Sequence, residues 1–114
     1  MTPTDDEDDD TVFTYESGIP LHPVHPGRTI AAELQARQLT PHRAALLMRI
    51  PANRLSQIIA AKRGITADTA LRLSRLLGPR AQFWMNLQTQ YDLATTEQER
   101  GEAIREEVPG TGGW

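Results

Sequence analysis

Thr40-Pro41-His42-Arg43-Ala44-Ala45-Leu46-Leu47-Met48-Arg49-Ile50-Pro51-Ala52-Asn53-Arg54-Leu55-Ser56-Gln57-Ile58-Ile59-Ala60 reads as two short helices joined by a tight turn. Thr40 is a good N-cap, and Pro41 suits the first helical position, where its missing N–H is not needed. The first helix of the pair is predicted to run to about Met48. Arg49-Ile50-Pro51 interrupts it, because the residue before a proline resists helical dihedrals. The second helix starts at Pro51 or Ala52 and continues to about Ala60. Two short helices that cross steeply need a small residue at their closest approach, and Ala45 is placed for that. Ile50 in the turn, then Leu55 and Ile58 one helical turn apart, lock the pair. Ala45, Ile50, Leu55 and Ile58 are thus the predicted core of a helix-turn-helix. Any hairpin of two helices needs similar packing, so the polar residues must separate the two readings.

With Leu55 and Ile58 turned inward, Asn53, Arg54, Ser56 and Gln57 face outward on the second helix. In a helix-turn-helix that helix lies in the major groove and its first turns meet base edges. Asn and Gln pair bidentately with adenine, Arg with guanine, and Ser with several bases. These four are the candidate base contacts; a solvated helix face is the plainer alternative. Thr40, His42 and Arg43 stand at the N-terminus of the first helix, where free N–H groups and the helix dipole favour a phosphate. Lys62 and Arg63 follow the second helix, where the chain passes the DNA backbone again. These five are the candidate phosphate contacts, which give affinity and register but no sequence information.

The charge distribution points the same way. The 114 residues carry a net charge of −3, which hides a polarised chain. Residues 1–27 hold seven acids and no Lys or Arg; residues 28–80 hold ten bases against two acids; residues 81–114 hold two bases against six acids. A middle block of +8 between ends of −7 and −4 is the electrostatic footprint of phosphate contact. The run Asp5-Asp6-Glu7-Asp8-Asp9-Asp10 repels itself, and residues 1–18 are expected to be a disordered acidic tail. Residues 19–27, with Pro20, Pro23 and Pro26, are expected to form an extended linker. His22 and His25 form an HxxH pair there, a weak metal signal without a third ligand, and no metal or other cofactor is expected.

Outside the helix-turn-helix, Ile30 and Leu34 suggest a first helix over roughly 28–37. Thr66 caps a further helix that carries Ala70, Leu73 and Leu77 and stops at Gly78-Pro79. Another begins near Pro79 and carries Trp84, Leu87 and Tyr91 on one face, as core or as dimer contact. Thr96 and Glu99 form a candidate capping box for a last helix within 96–108, before a flexible tail at 109–114. The fold expected is all-α: a five-helix domain over 28–95 built around the helix-turn-helix, with an extra C-terminal helix. No cysteine is present, the N-terminus is acidic, and no apolar run is long enough to span a membrane. These features fit a cytoplasmic protein without disulfides. An enzyme is disfavoured, because no Cys nucleophile, plausible triad, phosphate-binding glycine loop or metal set is visible.

Several stretches together resemble a known family. They are Pro26-Gly27 before the first helix; Ala45, Ile50, Leu55-Ser56 and Ile58; Lys62-Arg63-Gly64-Ile65-Thr66-Ala67-Asp68-Thr69-Ala70-Leu71-Arg72-Leu73; and Phe83-Trp84-Met85-Asn86-Leu87-Gln88-Thr89-Gln90-Tyr91-Asp92-Leu93. This pattern, over roughly 22–93, is similar to the HigA-type antitoxins within the λ-repressor-like (Cro/xenobiotic-response-element) helix-turn-helix group. The resemblance implies a homodimer that binds a palindromic operator in its own promoter and represses it. It also implies a partner: a HigB-type toxin, a small basic mRNA endonuclease of the RelE type, that the antitoxin neutralises. A stand-alone transcriptional repressor of the same fold is the alternative. Four departures stand out. Arg49 occupies the turn position where the family usually has glycine, and Ala61 stands where glycine often ends the second helix. Leu46 and Leu47 occupy positions that are commonly polar. The acidic tail lies outside the family pattern.

Overall fold

The computed structural model describes residues 22–110, which contain five α-helices and no strand. They are α1 (Pro26–Ala36), α2 (Pro41–Met48), α3 (Ala52–Ile59), α4 (Ala67–Leu77) and α5 (Ala81–Glu107). The acidic segment within 1–18 and the last four residues lie outside that range, as do the expectations that fall on them. The chain divides into a compact unit, Val24–Thr89, and a second unit whose described part is mainly the C-terminal portion of α5.

Local chemistry explains most helix limits. Thr40 caps α2, its Oγ1 accepting from the Arg43 N–H at 3.1 Å, with Pro41 at the first position. Thr66 caps α4 in the same way, accepting from Thr69 N–H at 3.3 Å. The start of α1 differs from the sequence expectation. His25 Nδ1 accepts the Gly27 N–H at 2.9 Å, so Pro26 and Gly27, read as the end of a linker, form the first turn of α1. The proline is compatible with that because the first helical position needs no N–H donor.

Three helices end alike. Gln38, Arg49 and Ala61 follow α1, α2 and α3 with φ of 56°, 59° and 63°, the left-handed region that favours glycine. At each, a backbone N–H one residue further on reaches back across the last turn. Leu39 N–H donates to Leu34 O, Ile50 N–H to Ala45 O, and Lys62 N–H to Gln57 O, at 2.9, 3.0 and 2.8 Å. Only α4 ends on a glycine in this region, Gly78.

In the compact unit, α3 packs against α1 and α2, and α2 also packs against α4. The core is aliphatic apart from Trp84: Ile30 and Leu34 from α1, Ala44, Ala45 and Met48 from α2, Leu55 and Ile58 from α3, and Ala70, Leu73 and Leu77 from α4. Ile50 and Ile65 join it from the connecting turns. Arg37 ties two helix ends together: its guanidinium donates to the Leu77 carbonyl at 2.7 Å and pairs with Glu33.

The capping box expected at Thr96 does not start a helix. Residues 81–107 are one helix of 27 residues, so the separate helix expected over 96–108 is the C-terminal part of a continuous α5, and the compact unit ends at Thr89, within that helix. Nothing between Ala81 and Arg100 breaks helical dihedrals, and the Thr95 hydroxyl is satisfied within the helix, donating to Tyr91 O at 2.7 Å. Further along, Arg105 pairs with Glu97 at 2.5 Å. Gly101 lies midway between them on the same face, where a Cβ would meet the Glu97 carboxylate at 2.2 Å.

Candidate nucleic-acid interface

The candidate reading helix is α3. Its inward residues Leu55 and Ile58 are fully buried, and Ile50 in the preceding turn is buried beneath it. Ala45 is buried at the approach of α2, and Ala44 beside it is buried as well, a packing residue that the offset pattern passed over. On the outward side, Asn53 and Ser56 are exposed, while Arg54 and Gln57 are half-buried. Ser56 turns its hydroxyl back to donate to Asn53 O at 3.1 Å, leaving the oxygen's lone pairs available. No side chain caps the N-terminus of α3, which follows Pro51.

The five candidate phosphate residues flank this face. Thr40, His42 and Arg43 are exposed at the start of α2, and Lys62 and Arg63 are exposed in the turn after α3. The Thr40 hydroxyl is engaged as a cap, so its contribution is to fix the α2 N-terminus.

Two further polar residues, Arg72 and Gln88, brace the helix pair and the loop after it, and neither is marked by a local motif. Arg72 in α4 donates from Nη1 to the Met48 carbonyl, the last of α2, at 3.0 Å, and from Nε to Asp68 at 2.7 Å. That hydrogen bond is the main reason the Asp68 carboxyl lies below its ordinary value; desolvation opposes it, and the charges of Arg72 and Arg54 add to the lowering. Gln88 in α5 accepts the buried Ile65 N–H on Oε1 at 2.8 Å and so pins the loop after α3. Gly64 leaves room for it, since a Cβ there would lie 2.7 Å from the Gln88 amide nitrogen. His25, read as half of an HxxH pair, serves instead as the cap of α1.

For Trp84, Leu87 and Tyr91 both core and dimer contact were open. Trp84 is fully buried in the core and Leu87 packs against it half-buried. Tyr91 lies in the C-terminal unit, half-buried. Leu46 and Leu47 on α2 are 58% and 50% exposed, so their apolar surface is not consumed by this core. Among the described residues, no helix is long and apolar enough to cross a membrane.

Two short packed helices joined through Ile50, with a polar outward second helix and basic residues beside both, define the class of helix-turn-helix proteins. Comparison with known proteins narrows it. No family model matches the chain. Virulence-associated protein I of Dichelobacter nodosus is 44% identical over 78 residues, covering 68% of this chain and 72% of that protein. A HigA-family addiction-module antidote protein of Coxiella burnetii superposes with a TM-score of 0.74 at 39% identity, covering 78% of this chain and 98% of that one. The antitoxin HigA of Pseudomonas aeruginosa, solved with the higBA promoter, gives a TM-score of 0.76 at 37% identity, covering 79% and 99%. The chain belongs to the HigA family of antitoxins.

Proposed function

We propose that this chain is a DNA-binding autorepressor and the antitoxin of a two-protein module, whose α3 reads an operator in its own promoter. The observation that carries this is the outward face of α3, with Asn53, Arg54, Ser56 and Gln57 set between two groups of cations on a correctly packed helix-turn-helix. It is supported by the promoter complex of the Pseudomonas relative. In this reading Asn53, Arg54, Ser56 and Gln57 meet bases, and Thr40, His42, Arg43, Lys62 and Arg63 position the phosphate backbone. A homodimer matches a palindromic operator, because half-sites one DNA turn apart require a two-fold protein. The second partner is a HigB-like toxin of the RelE type, held in a neutral complex.

Two substitutions separate base contacts from phosphate contacts. Arg54→Ala should weaken binding to the operator by about 1–3 kcal/mol, with little change on random duplex. An unchanged operator affinity in a titration would remove Arg54 from the base contacts. Lys62→Ala should weaken binding to all duplexes alike and flatten the slope of log affinity against log salt by about 1. A loss confined to one operator sequence would instead make Lys62 a base contact. The antitoxin half is tested by searching beside the gene for a short basic reading frame and co-expressing any that is found, followed by pull-down and growth. Rescue of growth with a stable complex is the expected result. A missing or non-toxic neighbour would favour a stand-alone repressor.

A further inference from the structure

Arg49 occupies a left-handed turn that glycine would fill without strain (φ 59°, ψ 46°). Among the described residues no carboxylate lies within ion-pair distance of it, nor of Arg54 or Arg63. Yet these three, together with Arg72, line one open cleft of about 370 Å³. The cleft lies where the helix-turn-helix turn, the first turn of α3, the loop after α3 and the start of α4 come together, so it borders the reading helix. Four guanidiniums face a single carboxylate in its lining, and that one, Asp68, already accepts the Nε hydrogen of Arg72. Arg72 is further committed to the Met48 carbonyl, which fixes the residue immediately before Arg49. Among the described residues, the cleft guanidiniums without an ion-pair partner are therefore those of Arg49, Arg54 and Arg63, although Arg54 also acts on Asp68 at longer range. Planar guanidinium forks suit an anion that presents two or more oxygens, and a phosphodiester is such an anion.

We propose that Arg49 binds phosphate: with Arg63 it holds one backbone phosphodiester of the DNA in this cleft, beside the bases met by α3. This rests on the DNA-binding reading above and adds the turn itself to the contacting surface. It also gives the strained arginine a role that a glycine at this position could not fill.

The test uses the full chain and two duplexes, one from the region upstream of its own gene and one of random sequence, over a range of salt concentrations. Arg49→Gly should lower affinity for both duplexes about five- to tenfold at moderate salt and flatten the salt slope by about 1. The midpoint of thermal unfolding should not fall, because the substitution relieves a left-handed side chain. Arg49→Asn, neutral and tolerant of that backbone region, should show the same loss of slope, and Arg49→Lys should retain most of it. Wild-type slope and affinity in Arg49→Gly and Arg49→Asn would overturn the proposal while leaving the DNA-binding reading intact. A wild-type protein with no salt-dependent binding to either duplex would overturn both.

Discussion

Gly27→Ala is expected to destabilise the compact unit by about 3 kcal/mol, towards the upper end of what overpacking costs. The sign is the instructive part. Alanine is the better helix former by about 1 kcal/mol, so helix propensity alone predicts a gain. Space decides otherwise. A Cβ on Gly27 would lie 1.9 Å from the Ile58 carbonyl oxygen, 2.8 Å from its carbon and 2.9 Å from the Ile59 Cα. All three atoms are backbone of α3, so no side chain can swing aside. The start of α1 would have to back away from the end of the reading helix. For a unit of this size the loss corresponds to a fall of about 12–24 °C in the unfolding midpoint. Calorimetry of the two proteins measures it. A Gly27→Ala protein as stable as wild type would mean that α1 and α3 do not approach as described.

Trp84 carries the second large effect. It is the largest fully buried side chain, and its neighbour Phe83 meets its ring edge-on with centroids 5.1 Å apart. Trp84→Ala should cost about 3–5 kcal/mol through lost burial and the cavity left behind. Trp84→Phe should cost far less, for a reason beyond its closer size. The indole Nε1–H is buried and has no hydrogen-bond partner among the described residues. Such a donor forfeits about 1–3 kcal/mol of hydration without recompense, and phenylalanine removes it. Urea unfolding of both variants gives the comparison. Equal losses would show that the indole N–H is bound in the folded protein.

The reading pair was legible because its determinants are local. Thr40-Pro41 starts α2, the proline at 51 ends the turn, and Leu55 and Ile58 sort the faces of α3 by helical period alone. Recognition of the family came from Gly64 to Leu73 and Phe83 to Leu93, and the solved relatives bear it out. What was not legible acts across the chain. Arg72 reaches Met48 over 24 positions, Gln88 reaches Ile65 over 23, and Arg37 reaches Leu77 over 40. No spacing rule announces a side chain that caps a distant backbone. Two helix limits were misplaced for local reasons. Histidine is an uncommon cap, so the start of α1 was hidden in its prolines. The Thr96–Glu99 pair has the form of a capping box, but that form also occurs inside a helix that never stops.

The left-handed residues at Gln38, Arg49 and Ala61 bear on how long each folded molecule lasts. An L-residue in that region costs about 1 kcal/mol or more, offset in part by the chain entropy a glycine would lose on folding. Even at half the gross figure, three such positions together change the ratio of folded to unfolded chains by roughly tenfold against a marginal total stability. In a cell, unfolded chains are the ones proteases capture. The turnover of this protein is therefore set partly at three helix ends, and one of them, Arg49, lines the arginine-rich cleft.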